Sequence, residues 1–185
     1  MESNRLNTPF EIGSTVIYST HGKCVIRGIE LRSINGETVP FYKLEVQKPT
    51  LSRSVRPEPS IWLPVNSSQA KNLRIPMDQQ AAEQVVAVLG DREYYFNTQE
   101  AWNEVFPLLE ACIRDEGAIG LAKVYSYLHV LERKHHHLLP TEISRFQDTV
   151  KKMLIRELAE ALSQQMKPTE EQVTKLLRKK MLPDH

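Results

Sequence analysis

Residues 10–32, FEIGSTVIYSTHGKCVIRGIELR, decide the fold of the N-terminal part of the chain. Apolar residues stand mostly at alternate positions in this stretch, as at Val16, Tyr18, Val25 and Ile29, and two glycine-containing breaks divide them. Alternation with a period of two, cut by glycine at short intervals, is typical of short twisted strands and not of helices. The stretch therefore predicts a small β-barrel.

Two further segments complete the predicted barrel. Residues 41–46, FYKLEV, alternate again after an Asn35-Gly36 pair, and residues 61–65, IWLPV, form a last extended run. An Asn-Gly pair between alternating runs predicts a hairpin, because both turn positions require a positive φ. We therefore expect the barrel to extend over residues 10–74.

A long segment interrupts this barrel between two of its strands. Residues 47–60, QKPTLSRSVRPEPS, are rich in proline, serine and arginine, and a hairpin loop of this length is unusual. Two interpretations stay open, a mobile insertion and an ordered binding loop.

From residue 76 onward the apolar pattern changes to a helical period. Gly90 and Gly117 are expected to end helices, and Pro168 to interrupt the chain before the last one. The hydroxyl groups of Thr98 and Thr169 are expected to cap the helices that follow them. The predicted helices run over residues 78–89, from Thr98 to the break at Gly117, and over residues 119–134, 141–165 and 170–180.

The two patterns together predict an α+β fold with two domains. A small β-barrel occupies residues 1–75, and an all-helical bundle occupies residues 76–185. Residues 1–76 hold ten Lys and Arg against six Asp and Glu, whereas residues 77–185 hold fourteen against seventeen. Because a DNA-contacting domain is usually the basic one, this distribution argues against DNA contact by the helical half.

Composition limits the classes of function. The formal net charge of +1 creates no overall field toward nucleic acid or a membrane surface. No apolar run approaches the ~18 residues that a membrane span requires. Cys24 and Cys112 are isolated in the sequence and are poor material for a disulfide framework. We therefore expect a cytoplasmic protein without a membrane partner.

No catalytic signature is present in the sequence. There is no nucleophile elbow, HExxH, CxxC or P-loop motif. His21 and Cys24 supply only half of a tetrahedral zinc site, and the three consecutive histidines at 135–137 do not converge easily on one ion. We therefore expect no enzyme activity, no metal, no cofactor and no small-molecule substrate.

The predicted barrel carries a pattern that resembles a known family. Its first part reads F-x-x-G-x-x-V-x-Y-x-x-H-G, and an Ile-Glu pair, a Leu-Pro-Val run and a Leu-Arg pair follow it. The pattern resembles the CarD/CdnL family, whose N-terminal module is shared with the transcription-repair coupling factor. This resemblance implies a Tudor-like barrel that docks on bacterial RNA polymerase. The matching residues are Phe10, Gly13, Val16, Tyr18, His21, Gly22, Ile29, Glu30, Leu63, Pro64, Val65, Leu73 and Arg74.

The resemblance extends more weakly through the helical half, to about residue 162. Family members have a tryptophan at a helix start, an acidic-Gly turn, an A-x-V-x-x-x-L helix and a final helix ending in L-x-x-E-L-A-x-A. The corresponding residues here are Trp102, Glu116-Gly117, Ala122, Val124, Leu128 and the run LIRELAEA at 154–161.

The resemblance implies that an outer strand of the barrel pairs with the polymerase β subunit. By position, Arg32, Ile34 and Trp62 fall where polymerase contacts are expected. Family members usually have an arginine at the place of Trp62. Two interpretations of Trp62 stay open, an interface anchor and a residue that packs within the barrel or its hairpin.

In the family, the counterpart of Trp102 wedges into the minor groove at the upstream edge of the melted promoter. Two basic residues usually follow that tryptophan, but Asn103 and Glu104 follow it here. Trp102 is therefore either a DNA wedge or a core residue. The basic candidates for DNA binding are Lys123, Arg133, Lys134, Lys151 and Lys152, with a tail of Lys175, Arg178, Lys179 and Lys180.

The resemblance implies a bacterial transcription regulator. Its barrel would bind the polymerase β subunit, and its helical domain would contact promoter DNA and modulate the stability of the open complex. A first alternative is an adaptor that binds polymerase but whose helical domain makes protein contacts without touching DNA. A second alternative is an unrelated Tudor-like barrel that binds peptides.

Overall fold

A computed structural model describes residues 8–18, 21–47, 60–91, 93, 95–136 and 138–178. The chain divides into two compact units, Met1–Pro76 and Met77–His185. A five-stranded antiparallel sheet forms the first unit, and four helices form the second. The predicted fold class, an α+β chain with a small barrel-like domain followed by a helical one, is confirmed. No helix in the described part of the chain combines the length and the apolarity that crossing a bilayer requires.

The sheet has the spatial order β4-β3-β2-β1-β5. Its strands are β1 (Thr15–Tyr18), β2 (Gly22–Ile34), β3 (Glu37–Val46), β4 (Ile61–Pro64) and β5 (Leu73–Arg74). Alternate side chains point inward from these strands, because successive residues of a strand face opposite sides of the sheet. The barrel core consists of Val16, Cys24, Ile26, Tyr42, Leu44, Leu63, Val65, Ala70 and Leu73.

The β2–β3 hairpin is closed by the predicted two-residue turn. Asn35 and Gly36 have φ values of 52° and 87°, and the flanking residues Ile34 and Glu37 are direct partners across the two strands. Both turn residues adopt the left-handed region that this tight turn demands. The hairpin prediction is therefore confirmed.

The long segment predicted at 47–60 separates β3 from β4. The structure describes Gln47 and Ser60 at its ends, and residues 48–59 lie outside the described residues. The two interpretations of this segment therefore stay predictions.

The helical unit contains α1 (Gln79–Gly90), α2 (Trp102–Lys134), α3 (Thr141–Ala161) and α4 (Met166–Leu177). Asp78 caps α1, since its Oδ1 accepts a hydrogen bond of 2.7 Å from the amide of Ala81. All four helices contribute to one hydrophobic core. Its fully buried leucines and valines include Val85, Leu89, Val105, Leu109, Leu121, Leu128, Val150, Leu154, Leu158, Val173 and Leu177.

The break predicted at Gly117 is a sharp kink inside α2. Gly117 has φ 61° and ψ −123°, whereas the residues on both sides of it are helical. The kink brings Gly120 against the preceding turn, so that a Cβ atom there would lie 2.1 Å from the carbonyl oxygen of Cys112. In a straight helix, residues 112 and 120 would be about 12 Å apart along the helix axis, so this close approach is a consequence of the kink.

The expectation that Thr98 caps the next helix is wrong. That helix begins at Trp102, and its N-cap residue Ala101 makes no side-chain cap. The amide of Gln99 instead donates to Asn97 Oδ1 at 3.0 Å, which holds residues 97–99 in a turn.

The predicted boundary between the last two helices is also wrong. The fourth predicted helix ends at Ala161 and not at 165, because Ser163 takes a left-handed φ of 52°. The last helix begins at Met166, with Pro168 inside its first turn. The first-turn amides of a helix have no intrahelical acceptor, so proline is tolerated there. Thr169 does not cap this helix but donates to the carbonyl of Gln165 at 2.9 Å.

Candidate functional site

The outer face of strands β2, β3 and β4 carries a group of cationic and aromatic side chains. The strand register pairs Arg32 with Val39 and Lys43 with Trp62, and β3 residues 39, 41 and 43 share one face. Arg32 and Trp62, two strands apart, therefore lie on the same side of the sheet. We call Arg32, Phe41, Lys43 and Trp62 the outer-face cluster.

Within the outer-face cluster, the guanidinium group of Arg32 stacks on the indole of Trp62. The Arg32 Cζ atom lies 3.3 Å from the centroid of the Trp62 ring and 6.0 Å from that of Phe41. The Lys43 ammonium lies 5.3 Å from the Trp62 centroid. A cation over an aromatic face is attracted by the ring quadrupole, and the attraction is strongest for tryptophan.

Charges around the cluster are partly paired. Arg27 makes a bidentate ion pair with Glu45, with N–O distances of 2.9 and 3.0 Å. This hydrogen bonding lowers the pKa of Glu45 and raises the pKa of Arg27. Arg32 lies 3.7 Å from a Glu30 oxygen, which is longer than a hydrogen bond. Net positive charge therefore remains near Arg32 and Lys43.

The three residues assigned to polymerase binding fall together on this surface. Arg32 and Trp62 are in direct contact. Ile34 lies two residues beyond Arg32 on the same face of β2, near the hairpin tip, and 43% of its surface is exposed. Trp62 is half-buried and belongs to neither hydrophobic core. It packs on the outer face of the hairpin, where it contacts Arg32.

Two members of the cluster were not assigned by the sequence reading. Lys43, which is half-buried, and Phe41, which is buried, lie on the outer face of β3 next to Arg32 and Trp62. The alternation in FYKLEV indicates them, because Tyr42 and Leu44 enter the barrel core and their neighbours must then face outward.

The strand that carries Trp62 lies at an edge of the sheet. Among the described residues β4 pairs only with β3, along the register from Leu44–Ile61 to Phe41–Pro64. An edge strand presents backbone amides and carbonyls that a further strand can pair with. The outer-face cluster and this edge are adjacent.

In the helical unit, Trp102 is part of an aromatic cluster. Its ring centroid lies 5.2 Å from that of Phe106 and 5.9 Å from that of Phe146, and the two phenylalanines are 5.0 Å apart. The Trp102 ring packs against the helical core, and its buried Nε1 has no hydrogen-bond partner among the described residues. The indole is therefore engaged in packing at the start of α2.

Three of the predicted basic DNA-binding residues, Lys123, Lys134 and Lys151, contact other groups of the protein. Lys123 makes an ion pair of 2.5 Å with Glu116, which raises the lysine pKa, and Lys151 makes one of 2.6 Å with Glu170. Lys134 donates to the carbonyl of Thr98 at 3.2 Å.

The other described basic candidates lie on different helices or at a helix end. Lys152 on α3 is exposed, and Arg133 on α2 is half-buried. Lys175 on α4 and its C-cap residue Arg178 line one pocket together with Glu170 and Glu171. Lys179 and Lys180 lie outside the described residues. In the described part of the helical unit, the basic candidates are thus divided among three helices, and those at the last helix share a pocket with carboxylates.

Neither cysteine is set up as a nucleophile. Cys24 is fully buried in the barrel core. Burial, and then the nearby Glu116 carboxylate, raise the pKa of Cys112 to about 11. Both effects disfavour the thiolate, so Cys112 carries its proton at neutral pH. His21 stacks on Tyr18 at a centroid distance of 5.3 Å.

Comparison with known families bears on the barrel. Residues 10–56 match the family model described as the CarD-like/TRCF RID domain, an RNA polymerase-interacting domain. The match contains β1, β2 and β3 with Arg32 and Ile34, and ends before Trp62. A search among curated proteins finds no match to this chain. Residues 10–56 are therefore similar to a CarD-like RNA polymerase-interacting domain, which is consistent with the CarD/CdnL family and with a transcription-related protein.

Proposed function

We propose that this protein binds the β subunit of RNA polymerase through the outer face of β2, β3 and β4. The observation that carries the proposal is the Arg32–Trp62 stack on an exposed face of a polymerase-interacting domain. Arginine and tryptophan are enriched among the residues that dominate binding energy at protein interfaces. The half-buried stack and the exposed Ile34 provide a rigid, partly apolar patch for such a contact.

The sheet edge formed by β4, next to the outer-face cluster, is a second feature that supports this proposed binding surface. A strand of the polymerase that pairs with this edge gains backbone hydrogen bonds, and every second side chain of it then lies beside the outer-face cluster. Backbone pairing supplies affinity, whereas Arg32 and Lys43 supply the choice of partner.

For the helical unit we propose a protein-binding, adaptor role without direct DNA contact. The observation that favours this role is the engagement of Lys123 and Lys151 by carboxylates. A cation already paired with a carboxylate releases no counterion from DNA unless that pair breaks, so it contributes little to DNA affinity. Modulation of open-complex stability then acts through polymerase or another bound protein.

A second candidate is promoter contact through Trp102, which would modulate the open complex directly. The position of Trp102 at the beginning of α2 and its partial exposure favour this candidate. Apolar side chains that wedge between base steps stabilise distorted DNA. Such a wedge requires the indole to leave its packing against Phe106 and Phe146.

Binding to polymerase tests the barrel proposal. Arg32→Glu is expected to weaken the affinity for core polymerase, and for the isolated β-subunit lobe, by about tenfold or more, because it reverses a central charge. Lys71→Glu makes the same charge change at an exposed residue away from the outer face and is expected to stay within about twofold of the unchanged protein. Equal affinities for the two variants would refute the proposed surface.

Open-complex lifetime distinguishes the two candidates for the helical unit. Trp102→Phe keeps the aromatic packing, and Lys152→Glu alters an exposed cation. If the unit acts as an adaptor, both variants leave the lifetime of the promoter open complex within about twofold of the unchanged protein. A lifetime shortened by both variants, with polymerase affinity intact, supports direct promoter contact.

A further inference from the structure

We infer that Trp62 is a positioning residue: its ring holds the Arg32 guanidinium in place, and Arg32 makes the contact with polymerase. This inference rests on the proposed function, since it assumes that Arg32 lies in the interface. It assigns the two residues different roles, whereas their shared position on the surface would suggest two equivalent anchors.

The stacking distance supports this division of roles. At 3.3 Å from the ring centroid, the Arg32 Cζ atom is in van der Waals contact with the indole. Arg32 therefore covers one face of the Trp62 ring, and Lys43 lies 5.3 Å from the same ring. An aromatic anchor must bury its faces in a partner's pocket, and one face of Trp62 is already occupied.

The guanidinium, in contrast, keeps its donors. It makes no hydrogen bond with a described residue, and its ion pair with Glu30, at 3.7 Å, is longer than a hydrogen bond. A guanidinium that stacks through its face leaves the N–H groups around its edge directed away from the ring. These donors suit an oxygen acceptor on the partner, such as a carboxylate, which accepts two parallel hydrogen bonds from an arginine.

Stacking also reduces the cost of ordering Arg32 when a partner binds. A free arginine side chain has several rotatable bonds and loses rotamer entropy when it is ordered in an interface. The stack on Trp62 restricts the side chain before binding, so less entropy is lost in the complex. Trp62 can therefore strengthen binding without touching the partner.

A double-mutant cycle measures whether Trp62 acts through Arg32. The affinity for core polymerase is compared for the unchanged protein, Arg32→Ala, Trp62→Leu and the double variant. Arg32→Ala is expected to weaken binding about tenfold, and Trp62→Leu about threefold to fivefold. In the Arg32→Ala background, Trp62→Leu is expected to change the affinity by less than about twofold, because no guanidinium remains to be positioned.

Two further variants separate the aromatic face from apolar bulk. Trp62→Phe retains an aromatic face and is expected to bind within about twofold of the unchanged protein. The nitrogen-15 and proton resonances of Arg32 Nε–H report the stack in the free protein. We expect a ring-current shift in the unchanged protein and in Trp62→Phe, and its loss in Trp62→Leu.

The outcomes distinguish failure of the inference from failure of the proposed function. If Arg32→Ala binds as tightly as the unchanged protein, the proposed contact surface is wrong, and the inference falls with it. A different result is that Arg32→Ala weakens binding and that Trp62→Leu causes its full loss of affinity in the Arg32→Ala background as well. Trp62 would then contact the partner directly, and only the positioning role would be wrong. If Trp62→Leu unfolds the barrel, Arg32→Lys takes its place, because it keeps the charge and removes the planar stack. Binding of Arg32→Lys equal to that of the unchanged protein would also overturn the inference.

Discussion

Two glycines in α2 define the shape of the helical unit at the scale of single residues. Gly117 has backbone angles that side-chain-bearing residues rarely adopt. Gly120 leaves room for the carbonyl oxygen of Cys112, and that carbonyl is backbone and cannot move aside as a flexible side chain can. The same kink brings Lys123 to Glu116. These glycines thus determine a fold feature and also the pairing of a candidate DNA-binding cation.

Substitution of these glycines by alanine tests this role. Gly120→Ala is expected to lower the free energy of unfolding by about 3 kcal/mol through overpacking, and Gly117→Ala by about 1–3 kcal/mol through backbone strain. Gly90→Ala is the matched control, because a Cβ there lies 3.4 Å from the flexible end of Leu176 and φ is not positive. It is expected to be neutral or to stabilise by up to about 1 kcal/mol. Urea unfolding followed by helical circular dichroism measures all three, and a Gly120→Ala value equal to that of Gly90→Ala would contradict the packing argument.

The β2–β3 hairpin presents the candidate polymerase contacts at the scale of an element. Arg32 and Ile34 lie within its last residues before the Asn35-Gly36 turn. A one-residue change in register would move both side chains to the opposite face of the sheet. The turn lies outside the outer-face cluster, but it fixes the strand register that places Arg32 and Ile34 on the outer face.

The turn can be tested separately from the contact residues. Gly36→Val introduces a β-branched residue at φ 87° and is expected to cost about 1–3 kcal/mol of barrel stability. It is also expected to weaken polymerase binding by a few fold, because the hairpin tip loses its register. Thr38→Val, at an exposed position of β3 in the same hairpin, favours a strand and is expected to leave both quantities nearly unchanged. Binding of Gly36→Val at full affinity, despite a measured loss of stability, would show that the tip does not participate.

At the scale of the whole molecule, charge is distributed to suit protein partners better than DNA. The chain carries 24 Lys and Arg against 23 Asp and Glu, and the basic excess lies in the barrel half. In the helical unit Lys123 and Lys151 each have a carboxylate partner. Phosphate binding by Lys123 or Lys151 would therefore have to break an existing ion pair.

Removal of the carboxylate partners of Lys123 and Lys151 is expected to increase the affinity of the protein for DNA. In the unchanged protein we expect a shallow dependence of the logarithm of DNA affinity on the logarithm of salt concentration, with a slope smaller in magnitude than about 2. The double variant Glu116→Gln and Glu170→Gln removes both carboxylate charges and is expected to steepen the slope by up to about 1.8, or about 0.9 for each lysine that becomes able to bind phosphate.

The matched control for this experiment is Glu142→Gln together with Glu83→Gln. It removes the same charge at two exposed positions and is expected to leave the slope nearly unchanged. Fluorescence anisotropy with duplex DNA at several salt concentrations measures the slopes. A slope of −4 or steeper in the unchanged protein would contradict the adaptor role and favour promoter contact.

Much of the fold could be predicted because its signals are local. The Asn35-Gly36 turn, the strand alternation on either side of it and the break at Gly117 each follow from the conformations that a few neighbouring residues allow. The helix boundaries at Thr98 and Pro168 were wrong for an equally local reason. A hydroxyl or a proline is compatible with more than one position near a helix start. At Thr98 the Asn97 side chain accepts the Gln99 amide and holds a turn before the helix, and at Pro168 the proline lies inside the first turn of α4 instead of before it.

The candidate site depended on the tertiary structure to a greater extent. Sequence patterns alone indicated the two-part α+β architecture, the resemblance to a polymerase-interacting barrel and the outward direction of alternate strand residues. The contacts of Arg32 with Trp62 and of Lys151 with Glu170 became visible only in the folded chain. Strand alternation and glycine turns act between chain neighbours and can be read in order along the sequence. Stacking and ion pairing join residues that are distant in sequence, and they depend on the register of three strands and on the packing of two helices.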